Sequence, residues 1–169
     1  MPDKYYYLIA SLPYLQFDSV PQITIKDFFR ECEKDLSQKE YTFLIDSAAS
    51  GDDPKNLKKD SSFFRAWLEF NREIQDSIFE FRTTKGARLF SAQKDDLKNA
   101  LEEKNPFLRE KAIEKIRWDF LEGEEYKYIF DFNRILLYFL KLRIQARLAG
   151  FDEKKGKEKF ENACEVNYE

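Results

Sequence analysis

Apolar residues recur along this chain at helical rather than strand spacing. After Ser61 or Ser62, Phe63, Phe64, Trp67, Leu68, Ile74, Ile78 and Phe81 fall along one stripe, the pattern of a long amphipathic helix. Leu108, Ala112, Ile113, Ile116 and Phe120 form a second stripe, and Asn105-Pro106 just before it supplies an N-cap and an N1 proline. Gly123 is expected to close that helix. From Tyr128 to Gly150 a third helix is predicted, apolar on every side from Ile135 to Leu140, with Gly150 at its C-terminal end.

The remaining segments follow the same logic. Thr24 with Asp27, and Ser37 with Glu40, read as capping boxes that open two helices. Phe28, Phe29, Cys32 and Leu36 form the inward face of the first. Residues 87–104 predict a more charged helix with Leu89, Phe90, Leu97, Ala100 and Leu101 inward. Residues 5–15 fit helix or strand, and 50–60, with Gly51 and Pro54, reads as a loop. The expectation is an all-α chain of about six or seven helices, bundle or funnel-like, in one domain over 1–169. Residues 150–169 would be a peripheral helix or a flexible tail.

Composition strengthens this reading. Only 5 Gly and 5 Pro against 36% charged residues favours helices over a sandwich or barrel, and 17 Phe with 9 Tyr predicts a core built from rings. The net charge of −3 gives no overall pull toward nucleic acid. No uncharged run reaches the roughly 18–20 residues of a spanning helix, so no direct membrane insertion is expected. The first residues lack a basic lead and a long apolar stretch, so they do not read as a signal peptide. A cytoplasmic protein is the expectation, with Cys32 and Cys164 as free thiols and Cys32 in the core.

The chain contains no histidine. His-based triads, His general bases and His metal ligands are therefore out of reach, and no enzyme activity, metal or cofactor is expected. The acidic group Asp119, Glu122, Glu124 and Glu125 lies round one helix end and reads as solvated surface. Arg134 and Lys141 share one side of the last helix, and Arg143 and Arg147 lie well away from them. That division argues against a nucleic-acid helix and reads as the solvated edges of a mostly buried one. Asp131 and Arg134, three residues apart, are placed to pair. Asp131, Asn133, Arg134, Arg143 and Arg147 are accordingly the candidates for partner contact, set against a plain helix-bracing role.

Residues 105–151, "NPFLREKAIEKIRWDFLEGEEYKYIFDFNRILLYFLKLRIQARLAGF", resemble the C-subunit family of V/A-type ATPases, whose eukaryotic member is the d-subunit. The shared features are Asp131, Asn133 and Arg134 running into Leu136, Leu137, Leu140 and Arg143, with an Asp–Asn spacing one residue shorter than usual. The N-terminal "YYYLIASLPYLQF" with "ITIKDFFREC" is similar to a small bacterial family associated with V/A-type ATPase operons. The resemblance implies an all-helical protein between the rotor shaft and the membrane ring, held near the membrane through partner subunits and carrying out no chemistry. Members of the C-subunit family proper are markedly longer, so the resemblance leaves open a subunit or an accessory protein. The alternative is a free-standing helical adaptor unrelated to ion pumping.

Overall fold

The computed structural model describes residues 5–49, 61–84 and 94–151. The loop expected at 50–60, the inward positions Leu89 and Phe90, the connection after Thr84, Cys164 and the tail beyond Phe151 lie outside the described residues. Seven helices are present among those described: α1 Tyr6–Ser11, α2 Ile25–Asp35, α3 Gln38–Ala49, α4 Ser62–Thr84, α5 Lys94–Glu102, α6 Pro106–Glu125 and α7 Phe132–Ala149. The fold is all-α.

Local sequence sets most of the helix starts. Thr24 Oγ1 accepts the Asp27 N–H at 3.1 Å and donates to the Asp27 carboxylate at 2.7 Å, so this box closes in both directions. Ser37 and Glu40 do the same for α3, with the Glu40 carboxylate accepting the Ser37 N–H at 3.1 Å. Ser61 Oγ accepts the Phe64 N–H at 3.1 Å and opens α4. Asn105 Oδ1 accepts from Phe107 N at 2.9 Å, with Pro106 at N1. Residues 6–11 resolve as helix, and Leu12 turns extended ahead of Pro13, where the proline ring disfavours a helical predecessor.

Helix α7 is the axis of the fold. Ile135, Leu136, Leu137, Phe139, Leu140, Leu142, Ile144 and Leu148 are all buried, on every side of the helix, as expected of a helix with neighbours all round. Helix α6 runs antiparallel beside it, with Glu125 against Lys141 and Glu114 against Arg147. Helix α5 covers α6, and α2 and α4 pack on other faces of α7. Rings fill the joints: Phe28 stacks on Phe139 at 5.9 Å, and Phe70 of α4 stacks on Phe120 of α6 at 4.2 Å. The α1–α2 connection is strapped to α7. Tyr138 Oη donates to Pro13 O at 2.8 Å, and Gln145 Nε2 donates to Gln16 O at 2.9 Å.

Two expectations about helix ends and faces change. Gly123 does not close α6, which continues to Glu125; an isolated glycine costs a helix only about 1 kcal/mol, less than the packing on α7 supplies. Gly150 does end α7, as its C-cap, with φ −77°, a right-handed conformation that any residue adopts. Leu108 is exposed, while Ile116 and Phe120 are half-buried, because the inward face of α6 is centred on Ile113, Trp118 and Leu121.

Candidate functional site

The predicted contact residues divide between the two ends of α7. At the N-terminal end, Asp131 does not pair with the Arg134 side chain. It is the N-cap, its carboxylate accepting the Arg134 backbone N–H at 2.9 Å. Capping satisfies an orphan donor of the first turn. Asn133 Oδ1 accepts from Ser61 Oγ at 2.7 Å, tying the start of α7 to the start of α4. Arg134 reaches back to α6, with its guanidinium 2.6 Å from Glu125.

Glu125 is shared. Its second oxygen lies 2.8 Å from Lys141 Nζ, whose side chain is only 5% exposed. Lys141 also lies 3.8 Å from Glu122 and 4.9 Å above the Trp118 ring, and Trp118 Nε1 donates to Glu122 at 2.8 Å. So Lys141 is no solvated edge, and Glu122 and Glu125 are not free surface acids. A buried ammonium needs a carboxylate beside it, and the end of α6 provides two. Asp119, on the surface, pairs with Lys115, while Glu124, only 18% exposed, pairs with Lys127.

This network lines a cleft of about 150 Å³ between α1, the strap Leu12–Leu15 and α7. Tyr138 lies in its wall, and burial pushes the phenol up to about 12. Exposed aromatic residues lie on α1 and on the strap. Tyr14 lines the cleft and is 81% exposed. Tyr6, one turn before Ile9 on α1, packs edge-on against Phe130 at 4.8 Å and against Tyr7 at 5.5 Å. Tyr7 is 86% exposed, and Ile129, next to Phe130 in the α6–α7 loop, is 65% exposed. Large apolar side chains left in water side by side mark contact surfaces rather than stability. Sequence reasoning found Arg134 here but not the rim: Tyr5, Tyr6 and Tyr7 are adjacent and identical, yet Tyr5 is buried and Tyr7 is not.

At the other end of α7, Arg143 and Arg147 face α6 and α4. Arg147 donates to Glu114 at 2.8 Å and to Glu110 at 2.8 Å. Arg143 lies 5.9 Å from the centre of the Phe139 ring. The separation of these two arginines from Arg134 and Lys141, read on the helical wheel, holds in the structure.

Among the described residues no group of three metal-ligating side chains comes together, and no helix is long and apolar enough to cross a membrane. Residues 90–166 match a family model described as a protein of unknown function, DUF2764. The matched region contains α5, α6 and α7 and both charged ends of α7. No curated protein and no solved structure matches the chain.

Proposed function

We propose that this chain is a non-catalytic subunit or accessory protein of a V/A-type ATPase, working by protein–protein contact on the cytoplasmic side, against rotor-shaft or membrane-ring subunits. The observation that supports contact is an aromatic rim made of Tyr14 at the α1–α7 cleft and of the exposed tyrosines Tyr6 and Tyr7 of α1, with Phe130 packed on Tyr6. Tyrosines give a large contact area with little side-chain entropy to lose, and interface cores are enriched in them. Behind the rim, Glu125, Arg134 and Lys141 fix α6 to α7, so the rim stands on a stiff base. The choice of an ATPase as partner rests on the resemblance of residues 105–151 and of the N-terminal block to ATPase-associated families. A free-standing adaptor would use the same rim on another protein.

The test is capture from the native cell with tagged full-length protein, beside a Tyr7→Glu variant that places a charge on the rim. Recovery of ATPase shaft or ring subunits with the parent chain, and their loss with the variant, is the expected result. Capture of other proteins through the same rim, with no ATPase subunit among them, favours the adaptor.

A further inference from the structure

Arg143 and Arg147 sit one turn apart on α7, and Arg117 of α6 faces them across a cleft of about 60 Å³. Asn71 of α4 and Glu114 of α6 complete its polar wall. The donors in this cleft outnumber the acceptors. Glu114 Oε1 accepts from Arg117 Nη1 at 2.9 Å and from Arg147 Nη1 at 2.8 Å. Arg117 Nε donates to Asn71 Oδ1 at 2.9 Å. Two donors are left over. Arg143 has no carboxylate within ion-pair distance among the described residues, although it is half-buried over Phe139. Asn71 is 1% exposed, and its Nδ2 has no hydrogen-bond partner there. The three guanidiniums therefore share two carboxylates, Glu114 and, through Arg147, Glu110, neither of which reaches Arg143, and a buried amide donor beside them is unsatisfied, an arrangement that costs free energy until an acceptor arrives.

A wider cleft of about 340 Å³ shares Arg117 and Arg147 and continues along α4 past Ile78, Phe79 and Arg82. Phe79 is 69% exposed. With Glu110, held by Arg147, as the one acid in the wider cleft, the combined surface is a net-basic recess beside an apolar shelf. An inorganic anion would use only the recess; a chain that carries a carboxylate next to an apolar side chain would use both.

We propose that this recess binds an acidic segment of a partner protein, one Asp or Glu carboxylate pairing with Arg143 and accepting from Asn71 Nδ2, with a neighbouring apolar side chain on Ile78 and Phe79. A guanidinium matches a carboxylate with two parallel hydrogen bonds, and the partly desolvated position of Arg143 strengthens the pair. The recess is on the side of α7 away from the tyrosine rim, so it is a second contact surface, independent of the first.

The experiment is fluorescence anisotropy on the full-length protein with a short labelled peptide of glutamate and leucine, a matched glutamine–leucine peptide, and inorganic phosphate as competitor. Arg143→Gln is the informative variant, because among the described residues Arg143 makes no ion pair whose loss would unfold the protein; its melting temperature serves as control. The expected result is saturable binding of the acidic peptide, at least tenfold weaker binding of the glutamine peptide, and at least a tenfold loss in Arg143→Gln with an unchanged melt. Tyr7→Glu should bind the peptide like the parent chain. Absence of binding, equal binding of the two peptides, or unchanged binding by Arg143→Gln overturns the proposal. Displacement by phosphate at concentrations comparable to the peptide's own overturns the assignment to a protein segment.

Discussion

Arg147 Nη1 on α7 lies 2.8 Å from Oε1 of Glu114 on α6, and Glu114 is 2% exposed. A carboxylate so far from water is tolerable because Arg117 donates to the same oxygen. Arg147 itself is half-exposed, and its other nitrogen holds Glu110. The sequence suggested a solvated Arg147 whose truncation costs within about 0.5 kcal/mol. The structure predicts more. Arg147→Ala removes one of two charged partners of a buried oxygen, so about 1–2 kcal/mol is expected, toward the low end for charged hydrogen bonds because the head is half in water. Glu114→Ala leaves Arg117 and Arg147 facing each other and should cost about 3–5 kcal/mol. Urea unfolding of both variants measures this, and equal costs would mean that Glu114 is not the centre of the pair.

Leu137 lies in the centre of α7 and is 1% exposed. Leu137→Ala should destabilise by roughly 2–5 kcal/mol, the transfer loss plus the cavity. Ile129→Ala, on the exposed α6–α7 loop, should stay within about 0.5 kcal/mol. The ratio of the two is the test of α7 as the core axis, and comparable costs would contradict it.

Two weak acids, the buried Cys32 and the half-buried Tyr138, make stability fall at alkaline pH. Burial pushes the Cys32 thiol up to about 12, with Asp35 and Glu31 adding to the effect, and burial alone pushes Tyr138 up to about 12. Both groups keep their protons longer folded than unfolded. Their contribution is fully present below the unfolded values, about 8.5 for Cys and about 10 for Tyr, and is lost as pH rises toward 12. The stability curve should slope downward by about 1.4 kcal/mol per pH unit for each group titrating only in the unfolded chain. Tyr138→Phe should flatten the slope above pH 10, and a curve unchanged by that substitution would contradict the assignment.

The same environment makes Cys32 inert. It is fully buried, and attack by a thiol reagent needs the thiolate. In a Cys164→Ser background the native protein should resist alkylation at pH 8 for as long as it stays folded and react fully in denaturant. Rapid native labelling would place Cys32 outside the core.

Capping was legible in the sequence because a cap is a local event. Thr24 with Asp27, Ser37 with Glu40 and Asn105 with Pro106 each carry their partner within three residues. The stripe of α4 was legible for the same reason, since periodicity fixes which side of a helix is apolar. Lys141 was not: its carboxylate, Glu125, is 16 residues away, and only the antiparallel packing of α6 on α7 brings them together. Asp131 had two local uses open to it, a cap or an ion pair with Arg134, and the choice turned on Glu125 taking the guanidinium. The tyrosine rim depended on which tyrosines tertiary packing buries, and the unsatisfied Asn71 on a meeting of three helices. Neither leaves a mark on spacing.

The most direct measurement of the functional account is made on the ATPase itself. Intact V/A-type ATPase purified from the native cells through a tag on another subunit should contain this chain in fixed proportion to the shaft or ring subunits, and should lose it when the chain carries Tyr7→Glu. Pure, intact ATPase from the same cells without the chain would contradict the account.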